Sequence, residues 1–129
     1  MNRGLRYGLV SIGALALLSL VHLMRGIDRE WPPIVAYLMG VMPNIAAAIA
    51  IPFVVLGYLA DQRKTAPPAA FRRWFYAAAT VSLIGLIGWE LLQRRSTGLI
   101  FDVDDIGATF VGTMIAVMLF TLVTPKAAD

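Results

Sequence analysis

An all-α, integral-membrane four-helix bundle is the fold class predicted by three features of this 129-residue chain. Hydrophobic residues make up 59% and charged residues 15% of it, where a soluble domain carries roughly a quarter charged. The apolar residues fall in long blocks rather than on one face of amphipathic segments. The Lys and Arg residues sit in the short connections between those blocks, as membrane topology requires. One domain fills the chain.

The same features narrow the function classes. A net charge of +3 that resides in connections points to a membrane and away from nucleic acid as a partner. The absence of Cys excludes disulfides and thiolate metal sites. A single His without a Cys or His cluster argues against a zinc centre.

The first span is predicted over 7–24, behind Arg3 and Arg6. Its 18 residues rise to roughly 27 Å as a helix, close to the thickness of a hydrocarbon core. The region after Leu20 lacks a small-x-small cleavage pattern, so the segment reads as an uncleaved span rather than a signal peptide. His22, near its far end, reads as an interfacial side chain. A polar link with Arg25, Asp28, Arg29 and Glu30 follows, and Trp31 is placed as an interfacial anchor.

The next apolar block, 34–60, is too long for an upright span and contains Pro43 and Pro52. Proline removes a donor and disfavours helix at the residue before it, which makes Met42 a break point. The block then divides into an interfacial or re-entrant segment over 34–42 and a second span over 43–60. The other reading is one long, tilted, kinked helix. Asn44 is expected to bond the backbone groups freed at Pro43.

A basic loop from Asp61 to Arg73 leads into the third span, 74–92, with Trp74 and Trp89 near its ends. An acidic link over 93–104 precedes the fourth span, 105–123, which Pro125 stops. Arg3, Arg6, Arg63, Lys64, Arg72, Arg73 and Lys126 fall on one side of this topology, and Arg25, Arg29, Arg94 and Arg95 on the other. The basic excess places both termini in the cytoplasm and the acidic link outside.

The chemistry concentrates around that link. Glu90, Asp102, Asp104 and Asp105 are four of the eight acids. On a helix Glu90 and Gln93 share a face, and Glu90 also reaches Arg94. At the start of the fourth span Asp105, Thr109, Gly112 and Ala116 form a narrow, small-residue stripe suited to close packing. Phe110, Met114, Val117 and Met118 lie on the lipid side. Ala77, Ala78, Gly85 and Gly88 lie roughly opposite Glu90, so the third span is expected to pack on two sides and occupy the middle of the bundle.

An ionisable residue inside a span is a functional candidate by default. The plainer reading is a Glu90–Arg94 ion pair at the interface, with Asp102 and Asp105 favoured by the dipole of the following helix. Three functional chemistries stay open. The carboxylates of Glu90, Asp102 and Asp105 could hold a hard divalent cation. Arg94 or Arg95 could meet a lipid phosphate. Glu90 or Asp105 could move a proton as a catalytic acid or base. Binding candidates are Glu90, Gln93, Arg94, Asp102, Asp105 and Thr109.

The run Glu90-Leu-Leu-Gln93, followed by Gly98, Asp102, Asp105 and Gly112, resembles the VanZ-like family of small bacterial membrane proteins. The family pattern is Glu-x-x-Gln, a Gly-Arg pair, two acids three apart, then Asn, Gly and Gly along the helix. Leu99 stands here in place of the family's Arg, Thr109 in place of Asn and Ala116 in place of the second Gly. The resemblance covers roughly the last 40 residues. It implies a four-span protein of the bacterial inner membrane, linked through the family's namesake to resistance to lipophilic glycopeptides such as teicoplanin. The expected function is binding, or action on, an envelope lipid or lipophilic compound at an outward acidic site, with membrane lipid as the partner. No cofactor beyond the divalent cation is implied. The alternatives are a non-catalytic assembly subunit and a small ion-coupled carrier, the latter as a homodimer.

Overall fold

A computed structural model describes residues 1–98 and 102–124. Among them are four helices: α1 (Arg3–Arg25), α2 (Pro33–Gln62), α3 (Pro68–Arg95) and α4 (Val103–Val123). Each is long and apolar enough to cross a membrane. The predicted stops at Pro125 and the basic Lys126 lie outside the described residues, as does Leu99.

The sequence marks each helix start. Asn2 precedes α1 and its side chain accepts from the Leu5 N–H at 2.7 Å. Asp102 does the same for α4, accepting from the Asp104 N–H at 2.9 Å, with Asp104 and Asp105 in the first turn. Acids there satisfy donors that have no helical partner and match the positive end of the helix dipole. Prolines open α2 and α3, where a missing N–H costs nothing.

The helices run up, down, up, down. At one end the start of α1 meets the end of α2, the start of α3 and the end of α4. Arg3 donates to the Ala66 carbonyl at 3.2 Å, Arg6 to the Val123 carbonyl at 3.3 Å, and Tyr7 Oη lies 3.1 Å from Thr124 Oγ1. Both described chain ends are therefore at this end, together with the basic loop between α2 and α3. Just inside it all four helices contribute to an aromatic layer. Tyr7, Phe53, Phe71, Phe75 and Phe120 are buried, and the Phe75 and Phe120 rings stack at 4.2 Å. Tyr7 contacts Phe53, Phe71 and Phe120 at about 6 Å between ring centroids.

α2 is the hub, packing on each of the other three helices. This corrects the expectation that α3 holds the middle. The Ala77, Gly85 and Gly88 side of α3 faces outward, with open space around both glycines. The α4 stripe does pack: Thr109, Gly112 and Ala116 are buried, while Phe110, Met114 and Met118 are exposed. Its neighbour is α2 rather than α3. A Cβ built on Gly112 would lie 2.7 Å from the Ile45 carbonyl oxygen and 2.9 Å from Ala48 Cβ. Val117, expected to face lipid, is half-buried against the core.

The long apolar block is one helix. α2 runs unbroken through Pro43 and Pro52, so 34–42 is not a separate re-entrant segment. A proline at position 43 deprives the carbonyl four residues earlier, that of Met39, of its helical donor. The Arg25 guanidinium, reaching over from the end of α1, donates to that carbonyl and to the Gly40 carbonyl beside it. A cation from a neighbouring helix replaces the lost donor, and the helix has no reason to break. The Arg25 contact also sets α1's end level with Met39. The first turns of α2 project past it, with Ile34, Tyr37 and Leu38 exposed.

Candidate functional site

Opposite the aromatic end, the last turns of α3 and the first turns of α4 meet the N-terminal half of α2. The inward face of α3 carries Phe71, Phe75, Ala79, Ser82 and Glu90, spaced by three, four or eight residues and so on one helical face. That periodicity carries Glu90 into the bundle. It is 3% exposed, although only five residues follow it in α3.

Glu90 Oε1 accepts a hydrogen bond from Gln93 Nε2 at 3.1 Å, one turn further on. Glu90 Oε2 is buried and makes no hydrogen bond. Asn44, on α2, brings its amide close to the Glu90 carboxyl and to that of Asp105. Asp105 is half-buried in the first turn of α4 and acts on Glu90 through its charge, with Asp102 more distant. Arg25 is the cation that acts on Asp105, while its guanidinium is committed to the α2 carbonyls.

Position makes Glu90 the costly member of this group. Asp102, Asp104 and Asp105 sit at a helix N-terminus, where the dipole favours an anion. Glu90 sits near a helix C-terminus, where the dipole opposes one, and it is shielded from water as well. Helix stability gains nothing from a carboxylate there.

The predicted residues thus separate. Glu90, Gln93 and Asp105 come together. Asp102 is exposed and serves as the N-cap of α4. Thr109 is fully buried, but its hydroxyl donates to the Asp105 carbonyl at 2.9 Å, which spends the donor on its own helix. Arg94 is exposed and lines a shallow groove with Gly88, Leu91, Leu92 and Arg95. Among the described residues no three His, Cys, Asp or Glu side chains converge to hold a metal ion, so Glu90, Asp102 and Asp105 are not arranged as a divalent-cation ligand set. His22 bonds the Leu18 carbonyl of its own helix at 2.9 Å and is exposed, as an interfacial residue would.

Two members were assigned elsewhere by sequence reasoning. Asn44 was expected to bond the backbone freed by Pro43; Arg25 performs that task, which leaves the amide to the carboxyls. Arg25 itself entered only the count of basic residues. Helix geometry identifies Met39 as the freed carbonyl, but nothing in the sequence says which donor reaches it. Ser82, about 12 Å deeper along α3 by helical rise, holds a second buried oxygen without a hydrogen bond.

Comparison of the chain with protein-family models, with curated proteins and with solved structures finds no match.

Proposed function

We propose that this chain is a VanZ-like protein of the bacterial cytoplasmic membrane. Its Glu90–Asp105–Asn44 site faces outward and binds an envelope lipid or a lipophilic glycopeptide. The observation that carries this reading is the Glu90 carboxyl. It is buried where the end of α3 and the start of α4 meet α2, disfavoured by the dipole of its own helix, and has one oxygen unpartnered. A buried, unsatisfied polar atom costs about 1–3 kcal/mol, more when charged. A ligand that supplies the missing partner recovers that cost. The exposed apolar flanks of α3 and α4 would keep a lipid-borne ligand at the depth of the site. The orientation follows from the basic excess at the opposite end.

The experiment compares Glu90→Gln, Asp105→Asn and the double variant at equal membrane abundance. The readout is survival against a lipophilic glycopeptide in a strain that depends on the protein. A binding site needs the charge, so each single change abolishes protection and the double costs little more, as for residues acting as a unit. Full protection by the double variant would refute the site. Loss of the protein itself in both single variants would favour a structural role, in which Glu90 and Asp105 only set helix register.

A further inference from the structure

We infer that the Glu90 site takes a primary ammonium group, such as that of an ethanolamine headgroup; this rests on the ligand-binding reading above. The geometry leaves few alternatives. The carboxylate oxygen without a hydrogen bond is Glu90 Oε2, while Oε1 accepts from Gln93. A guanidinium binds carboxylates best through two parallel bonds, and one of the two Glu90 oxygens already accepts from Gln93. A hard metal ion needs several converging oxygens, and no set of three acids is so placed among the described residues. A quaternary ammonium, which has no N–H, is recognised by aromatic faces. Among the described residues the buried rings, Tyr7, Phe53, Phe71, Phe75 and Phe120, are gathered at the opposite end of the bundle.

A primary ammonium is a compact charge with three donors. Two helices supply carboxylate acceptors for it, Glu90 Oε2 from α3 and the Asp105 carboxylate from α4, and the Asn44 side chain of α2 lies beside both carboxyls. The local charge also calls for a cation. Asp105 and Asp102 act on Glu90 through their charges, Asp104 acts on Asp105, and the Arg25 guanidinium that acts on Asp105 also donates to α2 carbonyls. Gln93 and Asp105 beside Glu90 are only half-buried.

The test uses the full chain in detergent, with lipid adducts counted by native mass spectrometry. Phosphatidylethanolamine should be retained about tenfold better than phosphatidylcholine, whose methylated nitrogen cannot donate. Such a ratio corresponds to one charge-assisted hydrogen bond. Glu90→Gln should erase that preference and leave phosphatidylglycerol retention unchanged. Dodecylamine serves as a second probe: Glu90-dependent retention of it, without ethanolamine-lipid retention, would assign the same ammonium site to a free amine.

Equal retention of the ethanolamine and choline lipids by the unaltered chain, together with no retention of dodecylamine, overturns the inference, and needs no variant to fold. If Glu90→Gln then removes retention of every lipid alike, the lipid site stands and only the headgroup assignment falls. If no retention depends on Glu90, both fall.

Discussion

Gly112 of α4 packs directly on the backbone of Ile45 of α2, so closely that a Cβ would lie 2.7 Å from the Ile45 carbonyl oxygen and 2.8 Å from its Cα. The next residue toward the start of α2 is Asn44, so this contact fixes the height at which Asp105, two turns nearer the start of α4, meets the amide. Small residues at such a crossing let backbones approach without a hydrophobic driving force between helices.

Gly112→Leu should therefore separate α4 from α2. Backbone atoms cannot yield as a flexible side chain can, and overpacking of this kind costs about 1–3 kcal/mol or more. Monodisperse yield and thermal unfolding in detergent should both fall. Met114→Leu, at a position 71% exposed, should match the unaltered chain. Equal behaviour of the two variants would show that the stripe is not a packing face.

On α3 the opposite result is expected. Gly85 has open space where its side chain would be, so Gly85→Ala should be neutral or slightly stabilising, by up to about 1 kcal/mol of helix propensity. A marked loss of stability would mean that another surface, such as a second copy, covers this face.

The clamp between α1 and α2 predicts a rescue. Arg25→Met leaves the Met39 carbonyl without a donor and should cost about 1–3 kcal/mol. Pro43→Ala restores an N–H to that carbonyl from within α2. In the Pro43→Ala background the cost of Arg25→Met should shrink by more than half. Additive effects in the four-variant cycle, read from unfolding curves, would show that Arg25 contributes in some other way.

Orientation has its own test. The chain has no cysteine, so single cysteines report cleanly. One at Thr97, beside the site, should react with an impermeant maleimide added to intact cells. One at Thr65, in the basic loop, should react only after the membrane is opened. The reverse pattern would turn the site toward the cytoplasm.

The four helices were legible because hydropathy and the polar connections mark spans directly. α1, α3 and α4 contain the expected stretches and extend them by up to six residues at an end, where charged side chains still have helical propensity. Which helix lies in the middle was not legible. Lipid tails and neighbouring helices accept the same apolar side chains, so hydropathy cannot label a face. The small residues Ala77, Gly85 and Gly88 of α3 look like those of α4, yet only the α4 set packs. The aromatic layer escaped notice for the same reason: Phe71 and Phe75 suit lipid as well as core. The acidic site was half visible. Glu90, Gln93 and Asp105 stand out as polar residues in an apolar background. Asn44 is 46 residues away from Glu90 in the chain, and only the uninterrupted course of α2 through Pro43 brings it to them.

The aromatic layer has a mechanical consequence. It clasps all four helices at one end, and α3 is held there by Phe71 and Phe75. Beyond Ser82, Glu90 is the sole fully buried side chain described on α3. The helix is thus a lever with a rigid fulcrum and a lightly loaded tip. Local opening at that tip would break fewer buried contacts than at the aromatic end, and it would move Glu90 and Gln93 relative to α4. Backbone amides near Phe75 should then exchange with solvent far more slowly than those around Gln93, and the bundle would breathe like a pair of tongs whose jaws are the site.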